Sequence, residues 1–163
     1  MKQQLISNQF LFELEQRISG ELQAEFMYRN LQAIAQNLGY FGFAKLFKNE
    51  AEQEVKHFQK IVDFLNDLGA LPKIQHVSTD IEAENLYELV KVAYNAELDL
   101  LNKYKELSKM AGLNDTTVFE LSQYFVKEQV KSVGEFGDIL ARIELAQENK
   151  AGLLLIDSEY LNS

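Results

Sequence analysis

Apolar and small residues recur along this chain at alternating spacings of three and four, the period of a helix that buries one face. The clearest stripe is Ala44, Phe47, Ala51, Glu54, Phe58, Ile61, Leu65 and Leu68, in which only Glu54 is neither apolar nor small. Leu86, Val90, Ala93, Glu97, Leu100, Tyr104 and Leu107 form a second, again with one carboxylate. A third is Leu11, Leu14, Ile18, Glu21, Glu25, Tyr28, Gln32 and Ala35. A fourth is Val118, Ser122, Phe125, Gln129, Ser132, Phe136, Ile139 and Ile143. Each stripe is apolar towards its ends and polar near its middle.

The stripes predict four long helices: Ser7 to Asn37, Tyr40 to Leu68, Ile81 to Ala111, and one from "NDTTVFE" to Asn149. Gly39, Gly69 and Gly112 supply stops, and Pro72 lies where a helix cannot continue. Thr117 and Glu120 have capping-box spacing at the start of the fourth helix. After Gly152, "LLLIDSEYLN" predicts a short fifth helix, over about 152–161. The first and third links are short, so each joins an antiparallel hairpin. The second, "ALPKIQHVSTD", is longer and contains His76, read as solvated. A helix of 28 residues is about 42 Å long, and a connection at roughly 3.3 Å per residue can reach along it. The fold class is all-α: one domain over residues 1–163, with the bundle over about 7–149 and one long crossover.

Glu21, Glu54, Glu97 and Gln129 each lie about fourteen residues from their helix start, near its midpoint. Midpoints meet at one height whichever way a helix runs, so these groups should share one buried layer. Three carboxylates in a core repel one another and lose hydration, at several kcal/mol per ion. Protonation is one relief. Pairing with Lys or Arg is another, but no stripe offers one. A multivalent cation is the third. Carboxylates with one imidazole and no sulfur suit iron or manganese better than structural zinc. Glu54 and His57, three residues apart, can present both groups to one metal region. Glu54 is thus read as the bridging ligand of a di-metal site. For each residue taken alone, the plainer alternative is a boundary Glu that reaches water or a satisfied histidine. Tyr28 and Tyr104 read as core aromatics with a polar tip.

Composition narrows the field. Hydrophobic residues make up 47% of the 163, which fits a globular chain. One Pro and eight Gly suit long helices. No Cys is present, which removes disulfides and thiol chemistry. The net charge is −9 without a basic stripe, which argues against nucleic acid or an anionic membrane as partner. "MKQQLISNQF" lacks a signal-peptide apolar region, so the expected location is cytoplasmic.

On these residues the chain resembles a non-haem ferritin of bacterial type with an H-type-like ferroxidase centre. The resemblance rests on Glu21 with Tyr28 seven later, on Glu54-Val-Lys-His57, on Glu97, on "EQVKSVGEFGDIL" from Glu128, and on "GLLLIDSEYL". It implies that Glu21, Glu54 and His57 hold a first iron, and Glu54 and Glu97 a second. Gln129 would sit beside the second iron and Tyr28 next to the centre. The implied chemistry is oxidation of Fe(II) by O2 or H2O2, then deposition of a ferric mineral core. The implied assembly is a 24-subunit homo-oligomeric shell with the fifth helix at its four-fold contacts.

The chain also departs from related patterns. Gln129 and Ser132 stand where bacterioferritins have a second Glu-x-x-His, so the site is asymmetric. Val55 stands where a bacterioferritin Met binds haem, so no haem is expected. Gln53, Lys131 and Ser132 replace acids of a third iron site, and only Glu128 is kept. Glu25 is an extra acid, an added ligand or transit site on one reading and an inner-surface carboxylate on the other. Lys45, Lys48, Asn49, Gln53 and Lys56 make the second helix poor in acids for nucleating mineral. The competing readings are a shell subunit with weak or no mineralisation, a DNA-protecting mini-ferritin and a monomeric di-iron oxidase.

Overall fold

The computed structural model describes residues 1–163. It contains α1 (Asn8–Leu38), α2 (Phe41–Asp67), α3 (Leu86–Ala111), α4 (Thr116–Ala146) and α5 (Lys150–Ser158), with no strand. The Ser7 hydroxyl accepts from Phe10 N and starts α1 where Ser was expected. Gly39 and Gly69 take positive φ at the ends of α1 and α2, as C-terminal stops do.

Four boundaries differ from the sequence expectation. The third helix begins at Leu86, not Ile81. Asn85 is extended, its side chain accepts from Glu88 N, and Glu88 reaches back to the Glu84 N–H. This reciprocal cap leaves 81–84 in the crossover, and Glu97 still lies near the middle of α3. At the next helix Asp115, not Thr117, is the cap. Its Oδ1 accepts from Thr117 N and Val118 N, each at 3.1 Å, and a carboxylate is a stronger acceptor there than a hydroxyl. The fourth helix stops at Ala146 instead of Asn149, because Gln147 turns to φ 51. Asn149 is thereby free to cap α5, accepting from Gly152 N, so the fifth helix starts at Lys150 rather than Gly152.

The crossover runs along α1. Lys73 N donates to Glu15 Oε1, Gln23 to Ser78 O, and Asn30 to Thr79 Oγ1, in ascending order on both segments. His76 is exposed, as expected. Two apolar clusters fill the bundle. One contains Leu14, Ile18, Ile61, Leu65, Leu107 and Phe125. The other contains Leu31, Phe43, Phe47, Leu89, Val90 and Ile139. The polar residues of the stripes lie at the join between them.

α5 is tied to the bundle by chemistry at the α2 start. Tyr40 provides no side-chain cap there. Buried Asp157 provides it instead, accepting from Gly42 N at 3.1 Å and Phe43 N at 2.8 Å. Such a cap contributes about 1 kcal/mol. A Cβ at position 42 would fall 1.8 Å from the Asp157 carbonyl oxygen, so glycine is required. No helix is long and apolar enough to cross a membrane.

Candidate metal centre

All four long helices contribute to the buried layer. Glu21 comes from α1, Glu54 and His57 from α2, Glu97 from α3 and Gln129 from α4. Their exposures are 0%, 2%, 8%, 1% and 0%. Groups so buried must be paired, protonated or bound to a cation.

One half of the centre gathers Glu21, Glu54 and His57, whose ligand atoms lie within 4.8 Å of one another. His57 Nδ1 is 3.0 Å from Glu54 Oε2, a hydrogen bond. It is 3.6 Å from Glu21 Oε2, a charge contact beyond hydrogen-bond reach. The Tyr104 hydroxyl donates to Glu21 Oε1. The other half is built on Glu97. Its Oε1 accepts from the Tyr28 hydroxyl and its Oε2 from Gln129 Nε2 at 2.6 Å. α1 and α3 thus each place a Tyr seven residues after a Glu, and each Tyr serves the other helix's carboxylate.

The electrostatics fit a centre short of positive charge. Burial, reinforced by Glu21, pushes the Glu54 carboxyl well above the usual range. Burial also raises Glu97, against the lowering bonds from Tyr28 and Gln129. Burial alone would lower His57, but the nearby Glu21 and Glu54 carboxylates, the latter also hydrogen-bonded to it, prevail and raise it to about 10. Without metal, His57 thus holds its proton, and protonation of Glu54 and Glu97 is favoured. Burial, with Glu97 next to Tyr28 and Glu21 next to Tyr104, lifts both phenols well above 10, so each stays a donor.

Two acceptor atoms in this layer are buried and unpaired, Glu21 Oε2 and Gln129 Oε1. Acceptors left orphaned in a core are costly unless a cation takes them. One lies in each half, and Glu21, Glu54 and His57 together make a donor set of oxygens and one imidazole that could hold a metal ion.

The remaining candidates lie outside. Glu25 Oε1 is 3.4 Å from Arg29 Nη2, one turn along α1. Half-buried Glu128 is a charged neighbour of the Tyr124 phenol.

Three residues escaped the sequence reading. Glu50 lies one turn before Glu54 on α2, and burial, then Glu97 and Glu135, raise it to about 7. It lines a cavity of about 440 Å³ with Glu135, Asp138 and Arg142. The Glu50/Glu54 spacing of four was the available signal. Tyr104, a core aromatic with a polar tip on sequence grounds, gains its partner Glu21 only in the structure, although its seven-residue spacing from Glu97 repeats that of Tyr28 from Glu21. Arg17 is a buried cation off the stripe. It pairs with Glu13 at 2.7 Å and donates to Lys103 O at 2.9 Å.

Comparisons with known proteins bear on the family and the fold. Residues 12–146 match the family model Ferritin, described as a ferritin-like domain. A bacterial non-heme ferritin of Escherichia coli O157:H7 is 29% identical over 157 residues, covering 95% of each chain. A probable bacterial non-heme ferritin-like protein of Haemophilus influenzae is 27% identical over 160 residues, 97% of each. An open pore ferritin from Archaeoglobus fulgidus superposes with a TM-score of 0.92 at 25% identity. That alignment covers 95% of this chain and 96% of the other.

Proposed function

The chain belongs to the ferritin family, and on that premise we propose that it is an iron-storage protein with ferroxidase activity. Its substrates are Fe(II) and O2 or H2O2. The observation that carries this reading is the convergence of five ligand-type side chains from four helices on one buried layer, with an unpaired acceptor in each half.

Glu21, Glu54 and His57 hold one Fe(II), and Glu54 and Glu97 hold the other, with Glu54 between them. Gln129 Oε1 faces the second. Binding displaces the His57 proton and the carboxyl protons, which the metal charge replaces. Each iron gives one electron, so two Fe(II) reduce O2 with two protons to H2O2, or H2O2 with two protons to two waters. Tyr104 and Tyr28 fix the orientation of Glu21 and Glu97, the outer-shell role that keeps ligands in place. Glu25, drawn towards Arg29, and Glu128 fall outside this proposed ligand set.

The ferric product is stored in a shell of identical subunits, proposed to number 24, with α5 at the four-fold contacts. A cavity edged by Glu50, Glu135 and Asp138 lies beside α2 and α4. The competing reading is a shell subunit that mineralises weakly. It draws on Lys45, Lys48 and Lys56, which reduce the acidity of α2.

Anaerobic Fe(II) titration of the metal-free protein, then rapid mixing with O2, tests the proposal beside Glu54→Ala. Saturation near two Fe(II) per chain with fast oxidation, both lost in the variant, is expected. Weak binding indifferent to Glu54 would reduce the protein to a shell subunit. Light scattering reads the assembly size in the same samples.

A further inference from the structure

Arg17 is the one lysine or arginine buried in the chain, 7% exposed. Its guanidinium spans two helices. Nη1 reaches Glu13 on its own helix, at 2.7 Å to Oε2 and 3.3 Å to the carbonyl oxygen. Nη2 donates across to the Lys103 carbonyl of α3 at 2.9 Å. Nε has no partner. Replacing a buried ion pair by apolar side chains of similar size is often neutral or stabilising. Stability alone therefore does not account for a guanidinium here.

Its place between the helices does. Lys103 adjoins Tyr104, whose hydroxyl donates to Glu21 Oε1. Glu21 stands one turn after Arg17 on α1. Two rungs thus join α1 and α3, one from Arg17 to the backbone at 103 and one from Tyr104 back to Glu21. The Arg17 rung fixes the height and rotation of α3 where the Tyr104 rung begins. Phe125 lies parallel to the Tyr104 ring, with centroids 4.5 Å apart, and leaves the phenol little freedom except to move with α3. Tyr104 is the one hydrogen-bond partner of the Glu21 carboxylate, because His57 is 3.6 Å away and Oε2 is unpaired. The other half has no such brace. Four residues before Glu97 stands buried Ala93, which has no donor to offer, and Glu97 is held by Tyr28 and Gln129 together.

We propose that Arg17 is a positioning residue for the first iron: it fixes Tyr104 through the Lys103 backbone, Tyr104 fixes Glu21, and the Glu21 half therefore fills before the Glu97 half. The inference rests on the ferroxidase reading above. A carboxylate already in place loses less freedom when a cation arrives, so the braced half binds the more tightly. Glu13 offsets the guanidinium charge, so Arg17 acts by geometry and does not repel the incoming cation. Only a planar fork holds Glu13 and the Lys103 carbonyl at once, which a lysine cannot do.

The test titrates the assembled, metal-free protein with Co(II) and follows its visible absorption, so that binding is read without oxidation. The wild type should take up Co(II) in two steps, the first of them lost in His57→Gln. Arg17→Met should weaken the first step by about 10-fold, the lower end of what an outer-shell partner contributes, and leave the second as it was. Glu13→Gln, which spares the bond to Lys103, should leave both steps in place. In a Tyr104→Phe background Arg17→Met should cost nothing further, because Arg17 acts through Tyr104. Equal weakening of both steps in Arg17→Met overturns the inference, since that is loss of packing. So do an unchanged first step, a further loss on top of Tyr104→Phe, and a wild type whose two steps coincide. Each of these leaves the ferroxidase reading standing. A wild type that binds neither Co(II) nor Fe(II) removes both. Circular dichroism guards against misfolding of Arg17→Met, and Arg17→Lys, with the same loss expected, carries the test if that variant does not fold.

Discussion

α1 and α3 bring the same two residues to the centre at the same spacing, Glu21 with Tyr28 and Glu97 with Tyr104. The exchange is reciprocal, since Tyr28 holds Glu97 and Tyr104 holds Glu21. The surroundings are not equal. The Glu21 half has an imidazole 3.6 Å away, and Arg17 bears on the Tyr104 phenol beside it. The Glu97 half has the neutral amide of Gln129 and the acid Glu50. Glu97 has a partner on each oxygen, whereas Glu21 Oε2 has none. A symmetric pair of helices is thus made into two unlike halves of one layer by what α2 and α4 add. The Glu21 half should be the better preformed for a first cation, and the Glu97 half the more easily rearranged.

Glu54 is proposed to serve both halves, so its removal should be the largest break. Glu54→Ala should abolish rapid Fe(II) oxidation and tight binding in both halves, measured by anaerobic titration and stopped flow. The metal-free variant should still fold, because a layer relieved of one carboxylate carries less mutual repulsion. Retained two-iron binding in a folded Glu54→Ala would show that the halves are independent sites.

The tyrosines sharpen the comparison next. Tyr104→Phe strips the last partner from Glu21 Oε1, while Tyr28→Phe leaves Glu97 on Gln129. Loss of an outer-shell partner lowers metal affinity or activity by roughly 10–100-fold. Tyr104→Phe should sit at the upper end of that range and Tyr28→Phe at the lower, in Fe(II) titrations of both. Equal losses would mean that the unlike surroundings do not matter to ligand positioning.

Changing pH separates the halves by smaller steps. His57 is raised from 6.5 to about 10, so its contribution to metal-free stability is complete below 6.5 and is lost as pH rises through 10. Glu50, on the other half, is raised from 4.5 to about 7 and loses its contribution across that lower window. Thermal unfolding of the metal-free protein should therefore decline in two stages as pH rises. His57→Gln should remove the upper stage and Glu50→Gln the lower. Iron affinity should move the opposite way over the upper stage, because binding expels the His57 proton. Iron affinity that weakens as pH rises there would contradict His57 as a ligand.

The plan of the bundle was legible because burial repeats with the helix period. Leu86 to Leu107 and Val118 to Ile143 mark their faces whatever lies opposite. The layer was legible too, since a carboxylate interrupting each of three such faces at mid-length has few explanations. Partnership across helices was not. Tyr104 and Glu21 are 83 residues apart, and the period says that both are buried without saying that they meet. Glu50 lies one turn before Glu54, but the period does not show that Glu97 and Glu135 bear on it. The helix ends followed local competition among caps. Asp115 outbid Thr117, and Asn85 held the chain extended after a stretch whose pattern was already helical.

The smallest expected effect comes from the place where the two helices differ most in sequence. Four residues after Glu21 stands Glu25, and four after Glu97 stands Leu101, which is buried. The Glu25 carboxylate lies 3.4 Å from Arg29, whose own side chain is 44% exposed. A pair this open is worth about 0–1 kcal/mol. Glu25→Leu makes α1 match α3 at this position. It should change stability by less than about 1 kcal/mol and leave iron stoichiometry and oxidation rate as they were. Unfolding midpoints and an Fe(II) titration read both. If the rate falls while the stoichiometry holds, Glu25 hands iron on to the centre despite Arg29. If the stoichiometry itself falls, Glu25 is a ligand, and the asymmetry between the halves begins on α1 rather than on α2 and α4.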